Sequence, residues 1–150
     1  MGNRMKKSWS RTIAAVAAGA VLAIGGVVAV AAPANAAPSG CQTQGKSCLW
    51  SGYDYGTDAA QNWRMLYFEY CIDNLGNYSY NDITSSAYNY GFSDNARFYE
   101  HDLQNGYYFT ILRHDGKPNL NNVDGQNWND RITSAYFTGA LGSKGTSRCA

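Results

Sequence analysis

Two short strings hold most of the oxygen donors with regular spacing in this chain. Asn81-Asp82-Ile83-Thr84-Ser85-Ser86 and Asn129-Asp130-Arg131-Ile132-Thr133-Ser134 both read Asn-Asp-x-x-(Ser/Thr)-Ser. Each supplies a carboxylate, hydroxyls and, where the chain turns, backbone carbonyls. Ca²⁺ takes such hard oxygens in sets of about six to eight. One such string alone makes Asx and Ser/Thr turns at a strand start with no metal involved. Two copies inside a wider repeat favour the calcium reading.

Catalytic patterns are absent. His101 and His114 are the only histidines. There is no His-Glu-x-x-His helix and no Gly-x-Ser-x-Gly elbow. Glu100, His101 and Asp102 are consecutive, and neighbours on an extended chain point to opposite faces. No enzyme is expected, and no residue is assigned a catalytic role. The Tyr and Trp side chains fall at core-like strand positions, which argues against a sugar-binding surface.

The elements that hold the two strings come from an internal repeat. Residues 80–88 align with 128–136 at an offset of 48, and Cys48-Leu49-Trp50 aligns with Arg97-Phe98-Tyr99 at 49. Asn74-Leu75 corresponds to Asn119-Leu120. The body is therefore two units, 46–91 and 95–138. Strand-type runs at 47–50, 65–70, 85–90, 96–99, 107–113 and 133–137 alternate with turn residues, which predicts an all-β sandwich or barrel. The one helix-compatible stretch, 58–66, is short and reads as part of a loop. The polar stretch 113–126 reads as a long exposed loop.

The strings resemble the calcium motif of the βγ-crystallin superfamily, Asn/Asp-Asn/Asp-x-x-Ser/Thr-Ser, matched in full twice. That superfamily's hairpin signature, aromatic-x4-aromatic-x-Gly, is matched in part. Trp50-x4-Tyr55 has both aromatics, with Thr57 at the glycine position. Tyr99-x4-Gln104-x-Gly106 has the glycine but not the second aromatic. The resemblance covers 46–138. It implies a βγ-crystallin-like sandwich of two Greek-key motifs with two calcium sites shared reciprocally between the repeats. One loop would offer Asp82, the Ile83 carbonyl and Ser85; the other would offer Asp130, the Arg131 carbonyl and Thr133. A hairpin carbonyl near Tyr53 or Asp102 would complete each site. A narrower resemblance, carried by Cys41-x6-Cys48-Leu49-Trp50 and Trp128-Asn129-Asp130-Arg131, is to secreted actinobacterial proteins of the metalloproteinase-inhibitor type. It implies a secreted protease as partner, with 113–126 as the presenting loop. The other expectations are a structural or stress-related extracellular calcium-binding protein and a toxin-like secreted factor.

The flanks give the compartment. Arg4, Lys6, Lys7 and Arg11 precede an apolar run of roughly 20 residues, long enough to be compared with a membrane span, and Pro33-Ala34-Asn35-Ala36 forms a small-x-small cleavage site. Residues 1–36 are read as a signal peptide, which places the mature chain outside the cell. That chain carries 8 Lys and Arg against 11 Asp and Glu, a net charge of −3. Such a balance excludes nucleic acid and anionic membranes as natural partners, and a monomer is expected. Cys41, Cys48, Cys71 and Cys149 are an even set in an exported chain and read as two disulfides. Their spacings of 7, 23 and 78 do not suit zinc. Three pairings are possible. Cys41–Cys48 with Cys71–Cys149 is favoured, because it ties down both the 37–45 arm and the 139–150 tail.

Overall fold

The computed structural model describes residues 36–57 and 62–139. Eight strands follow one another: β1 (Lys46–Trp50), β2 (Met65–Phe68), β3 (Cys71–Ile72), β4 (Ser86–Tyr90), β5 (Ala96–Tyr99), β6 (Tyr108–Ile111), β7 (Asp115–Lys117) and β8 (Ser134–Phe137). All pairings between them are antiparallel. One sheet has the order β2-β1-β4-β7 and the other β3-β8-β5-β6. The repeats thus exchange strands. β3 of the first unit lies in the second sheet, and β7 of the second unit lies in the first. The fold is an all-β sandwich of two interlocked Greek keys.

Period-two side-chain alternation explains the core. Leu49 and Ala87 of the first sheet meet Ala96, Phe98, Phe109, Ile111, Ala135 and Phe137 of the second, all buried. The intervening residues of β1 and β4 point the other way. Cys48, Trp50 and Tyr88 form a second cluster with Cys41, against which Ala37, Tyr55, Met65 and Tyr90 pack. The Cys41–Cys48 disulfide, with Cα atoms 6.0 Å apart, fastens the N-terminal arm over this outer face. Cys71 is also disulfide-bonded. Its expected partner Cys149 lies outside the described residues, as do the expected signal peptide apart from Ala36 and the tail after Gly139.

Two expectations need correction. The stretch 113–126 is an exposed loop only in part, chiefly over 118–126. It contains β7, which pairs with β4, and it buries Leu120 and Val123 in the main core. Gly116 makes the pairing possible: a Cβ there would stand 2.5 Å from both the Tyr55 hydroxyl and the Tyr88 ring. The run 65–70 is strand only as far as Phe68, and the next strand, β3, lies beyond it in the other sheet. Of the helix-compatible stretch 58–66, Met65 and Leu66 are strand, and 58–61 lie outside the described residues.

Candidate metal centre

Each motif string opens on a left-handed aspartate, Asp82 at φ 52° and Asp130 at φ 55°. Asp tolerates this region because its short polar side chain bonds locally. The preceding asparagine orients the carboxylate. Asn81 Nδ2 donates to Asp82 Oδ2 at 2.5 Å, and Asn129 Nδ2 to Asp130 Oδ2 at 2.7 Å. Further along, the Ser85 N–H donates to the Trp50 carbonyl and the Thr133 N–H to the Tyr99 carbonyl, both at 2.8 Å. Each loop is therefore fixed to the end of its own repeat's first strand.

The two loops are also fixed to each other. The Asp82 N–H donates to the Ile132 carbonyl at 3.2 Å, and the Asp130 N–H to the Thr84 carbonyl at 3.0 Å. The Leu75 N–H reaches the Thr133 carbonyl at 2.7 Å, and the Leu120 N–H the Ser85 carbonyl at 3.0 Å. The relation is a pseudo-twofold, since every bond has its counterpart with the repeats interchanged. Across this seam Thr133 Oγ1 lies 3.4 Å from Asp82 Oδ1. The hydroxyl beside the first carboxylate thus comes from the opposite loop, and Asp130 and Ser85 occupy the equivalent positions. Burial raises the Asp130 carboxyl above its ordinary range; the Asn129 hydrogen bond opposes this and the Asp82 charge adds to it. Asn129 Oδ1 is buried with no hydrogen-bond partner.

The last serine of each motif has a role that sequence reading did not foresee. Ser86 and Ser134 are fully buried. Ser86 Oγ accepts from the Tyr55 N–H at 3.1 Å and donates to the Gly52 carbonyl at 2.7 Å. Ser134 Oγ accepts from the Gln104 N–H at 3.1 Å and donates to the His101 carbonyl at 2.6 Å. Each serine closes the hairpin that follows its repeat's first strand. Those hairpins contain Tyr53 and Asp102. The next residues cross to the other repeat: the Asp54 N–H donates to the Pro118 carbonyl at 2.8 Å and the Leu103 N–H to the Asp73 carbonyl at 2.9 Å. The Tyr53 and Asp102 carbonyls themselves accept from Gly56 and Asn105 within their hairpins. Among the described residues, no hydrogen bond joins either one to the motif loops.

The third motif position breaks the symmetry. Ile83 in one loop is Arg131 in the other. Arg131 is ion-paired with Glu100 at 2.6 Å, donates to the Asn127 carbonyl at 2.7 Å and lies over the Trp128 ring at 5.1 Å. These partners hold its charge aside and leave the backbone carbonyl for the loop. Glu100 occupies the position of Ser51 in the first repeat, so the joint change, Ser51 to Glu100 and Ile83 to Arg131, was visible in the aligned repeats.

The donor set suits a hard cation. Among the described residues no three His, Cys, Asp or Glu side chains gather as a metal-holding group. A cation at the seam would be held by one carboxylate with hydroxyl and carbonyl oxygens, a combination Ca²⁺ accepts and one unlike the imidazole and thiolate sets of zinc.

No protein-family model matches the chain, and no curated protein matches it. Solved structures do. A βγ-crystallin from Ciona intestinalis aligns with a TM-score of 0.51 at 20% identity, over 63% of this chain and 100% of that one. A structure from work on the evolution of the eye-lens βγ-crystallin domain fold aligns with a TM-score of 0.55 at 20% identity, over 68% of this chain and 93% of that one. The chain has the βγ-crystallin domain fold.

Proposed function

We propose that this chain is a secreted, calcium-binding βγ-crystallin-type domain that acts as a binding protein without catalysis. The observation that supports this best is the seam itself. Two copies of one oxygen-rich loop are bonded reciprocally through Asp82, Thr84, Asp130 and Ile132, with the Thr133 hydroxyl against the Asp82 carboxylate. A turn motif serving only its own strand has no need of a partner loop. The Asp82 charge adds to the raised proton affinity of Asp130, and a cation at the seam relieves that repulsion.

The test is thermal unfolding of the secreted protein in millimolar Ca²⁺ and in chelator. At calcium near 100 times Kd, each site adds about 2.7 kcal/mol. Asp82→Ala and Asp130→Ala should each remove much of one such increment. An unchanged Tm between calcium and chelator sinks the proposal.

A second reading rests on the observed Cys41–Cys48 disulfide, which fastens the opening shared with metalloproteinase-inhibitor-type proteins. In this reading the domain inhibits a secreted protease as a rigid monomer, and rigidity limits the entropy lost on docking. With β7 paired to β4, the part of 113–126 left to present is the exposed portion of 118–126. Titration of thermolysin-like and subtilisin-like proteases decides the matter. Full residual activity at micromolar inhibitor leaves a structural, stress-related or toxin-like role for the calcium-binding domain.

A further inference from the structure

The outer face of the first sheet carries a pocket that the calcium reading does not use. It measures about 360 Å³ and is lined by Ala36, Pro38, Tyr55, Tyr88, Asp115, Gly116 and Pro118. Ala36 and Pro38 flank Ala37, so the peptide bond expected to be cut during export runs along the pocket wall. Asp115 belongs to the same lining. The Asp115 charge acts on both the Tyr55 and Tyr88 hydroxyls and raises the pKa of each, after burial, which is the larger cause in both. The Tyr55 hydroxyl, pushed up to about 12, remains a neutral donor and acceptor at physiological pH.

Asp115 lacks a cation. Its Oδ1 accepts the Gly116 N–H at 2.7 Å, and none of the ion pairs among the described residues includes it. The titratable groups in the lining are Asp115 on β7, Tyr88 on β4 and Tyr55 on the hairpin after β1; Asp54, Tyr90 and Lys117 stand outside it on the same elements. One carboxylate and two phenols, with no Lys, Arg or His in the lining, form a receptor for a positive charge. The arm is already positioned, because Ala37 packs against the Cys41–Trp50–Tyr88 cluster and the Cys41 N–H donates to the Pro38 carbonyl at 3.0 Å.

We propose that cleavage between Ala36 and Ala37 creates the ligand of this pocket: the new α-ammonium of Ala37 docks against the Asp115 carboxylate and the Tyr55 and Tyr88 hydroxyls. Hydrolysis adds water across the bond, leaving the carboxylate on Ala36 of the signal and the protonated amine on Ala37. Processing then does more than release the chain, since it supplies the charge that completes the packing of the arm. The inference rests on the export reading above. It is independent of the calcium sites.

The experiment uses protein as released by the secreting cell. N-terminal sequencing establishes the first residue. The α-amine is then acetylated selectively near about pH 6.5, where lysine side chains are protonated, and Tm is compared with that of the untreated protein. The same comparison is made on Asp115→Asn, whose side-chain oxygen can still accept the Gly116 N–H. Acetylation should lower Tm by about 2–4 °C in the natural protein and by less than about 1 °C in Asp115→Asn. The α-amine should titrate above its ordinary range of about 7.7–8.0. A chain beginning at Ala37 whose Tm ignores acetylation, or falls equally in both proteins, overturns the capture and leaves the export reading standing. Release at another bond overturns both. Should Asp115→Asn fail to fold, the amine titration in the natural protein decides, and a value at or below the ordinary range overturns the proposal.

Discussion

The hairpins of the two repeats have one backbone and two interiors. Asp54 and Tyr55 in the first, and Leu103 and Gln104 in the second, are left-handed at equivalent positions. Both hairpins are closed by a buried serine, the last residue of the repeated Asn-Asp-x-x-(Ser/Thr)-Ser string. In the first, Tyr55 packs edge-on against Trp50 and Tyr88. In the second, Gln104 is fully buried and its Nε2 donates to Asp73 Oδ1 at 2.8 Å, in the other repeat. The glycine moves as well. Gly56 takes a φ of 69° in the first hairpin, and Gly106 a φ of 79° one equivalent position later in the second. The hairpin is therefore specified by its serine and its backbone bonds. The aromatic residue is one of two ways to fill it, the other being an amide that ties the repeats together.

The sharpest way to break this comparison is to empty each hairpin. Tyr55→Ala should cost about 3 kcal/mol, by the loss of a large packed ring. Gln104→Ala should cost about 2 kcal/mol, and that cost should shrink in an Asp73→Ala background because the two share a hydrogen bond. Urea unfolding of the four proteins measures this. Additive costs for Gln104 and Asp73 would show that the cross-repeat bond contributes nothing.

The serines should behave alike where the side chains behind them do not. Ser86→Ala and Ser134→Ala each strand a buried N–H and a carbonyl, at about 2 kcal/mol apiece. A loss below about 0.5 kcal/mol for either one would separate the hairpins in kind as well as in filling.

Smaller effects probe the two loops proposed to bind calcium. The raised Asp130 carboxyl favours folding below the ordinary carboxylate pKa, and that contribution is lost as pH rises through its folded value. In chelator near neutral pH, Asp130→Asn should thus stabilise by about a few tenths of a kcal/mol after solvent screening. In calcium the sign should reverse, because a ligand is weakened. Melting curves at about pH 4 and pH 7, with and without calcium, read both signs. Last, Glu100→Gln releases the Arg131 guanidinium beside the second loop. Calorimetry should find one of two sites weakened by about two- to fivefold, while the matching Ser51→Ala change in the first repeat leaves affinity unaltered.

Sequence pattern revealed most of the sandwich, and the residues it missed share a physical cause. The six β-type runs between turn residues cover β1 from its second residue and β2, β4, β5, β6 and β8 in full. The two exchanged strands escaped. β3 is two residues long, too short to show a period. β7 is Asp115-Gly116-Lys117, polar and half-buried, and is held in place by its pairing with β4. No local signal marks a strand whose partners belong to the other repeat. The candidate site was legible in its two strings because aspartate, asparagine and hydroxyl residues were repeated at one offset. The cross-loop pairing of Asp82 with Thr133 depends on the pseudo-twofold, which a linear string does not display, whereas the Glu100–Arg131 pair lies within one repeat and shows in the aligned strings only as a joint change.

The strand exchange also sets the order in which the molecule can assemble. When the first repeat emerges during synthesis, β4 has an open edge that only β7 closes, and β3 has no neighbour until β8, the last strand, is made. Neither half can finish alone, so the N-terminal repeat must wait for the C-terminal one with its edges unpaired. Such distant closures slow folding and leave intermediates prone to association. Severing the chain between β4 and β5 would accordingly yield two incomplete sheets that regain structure only when mixed.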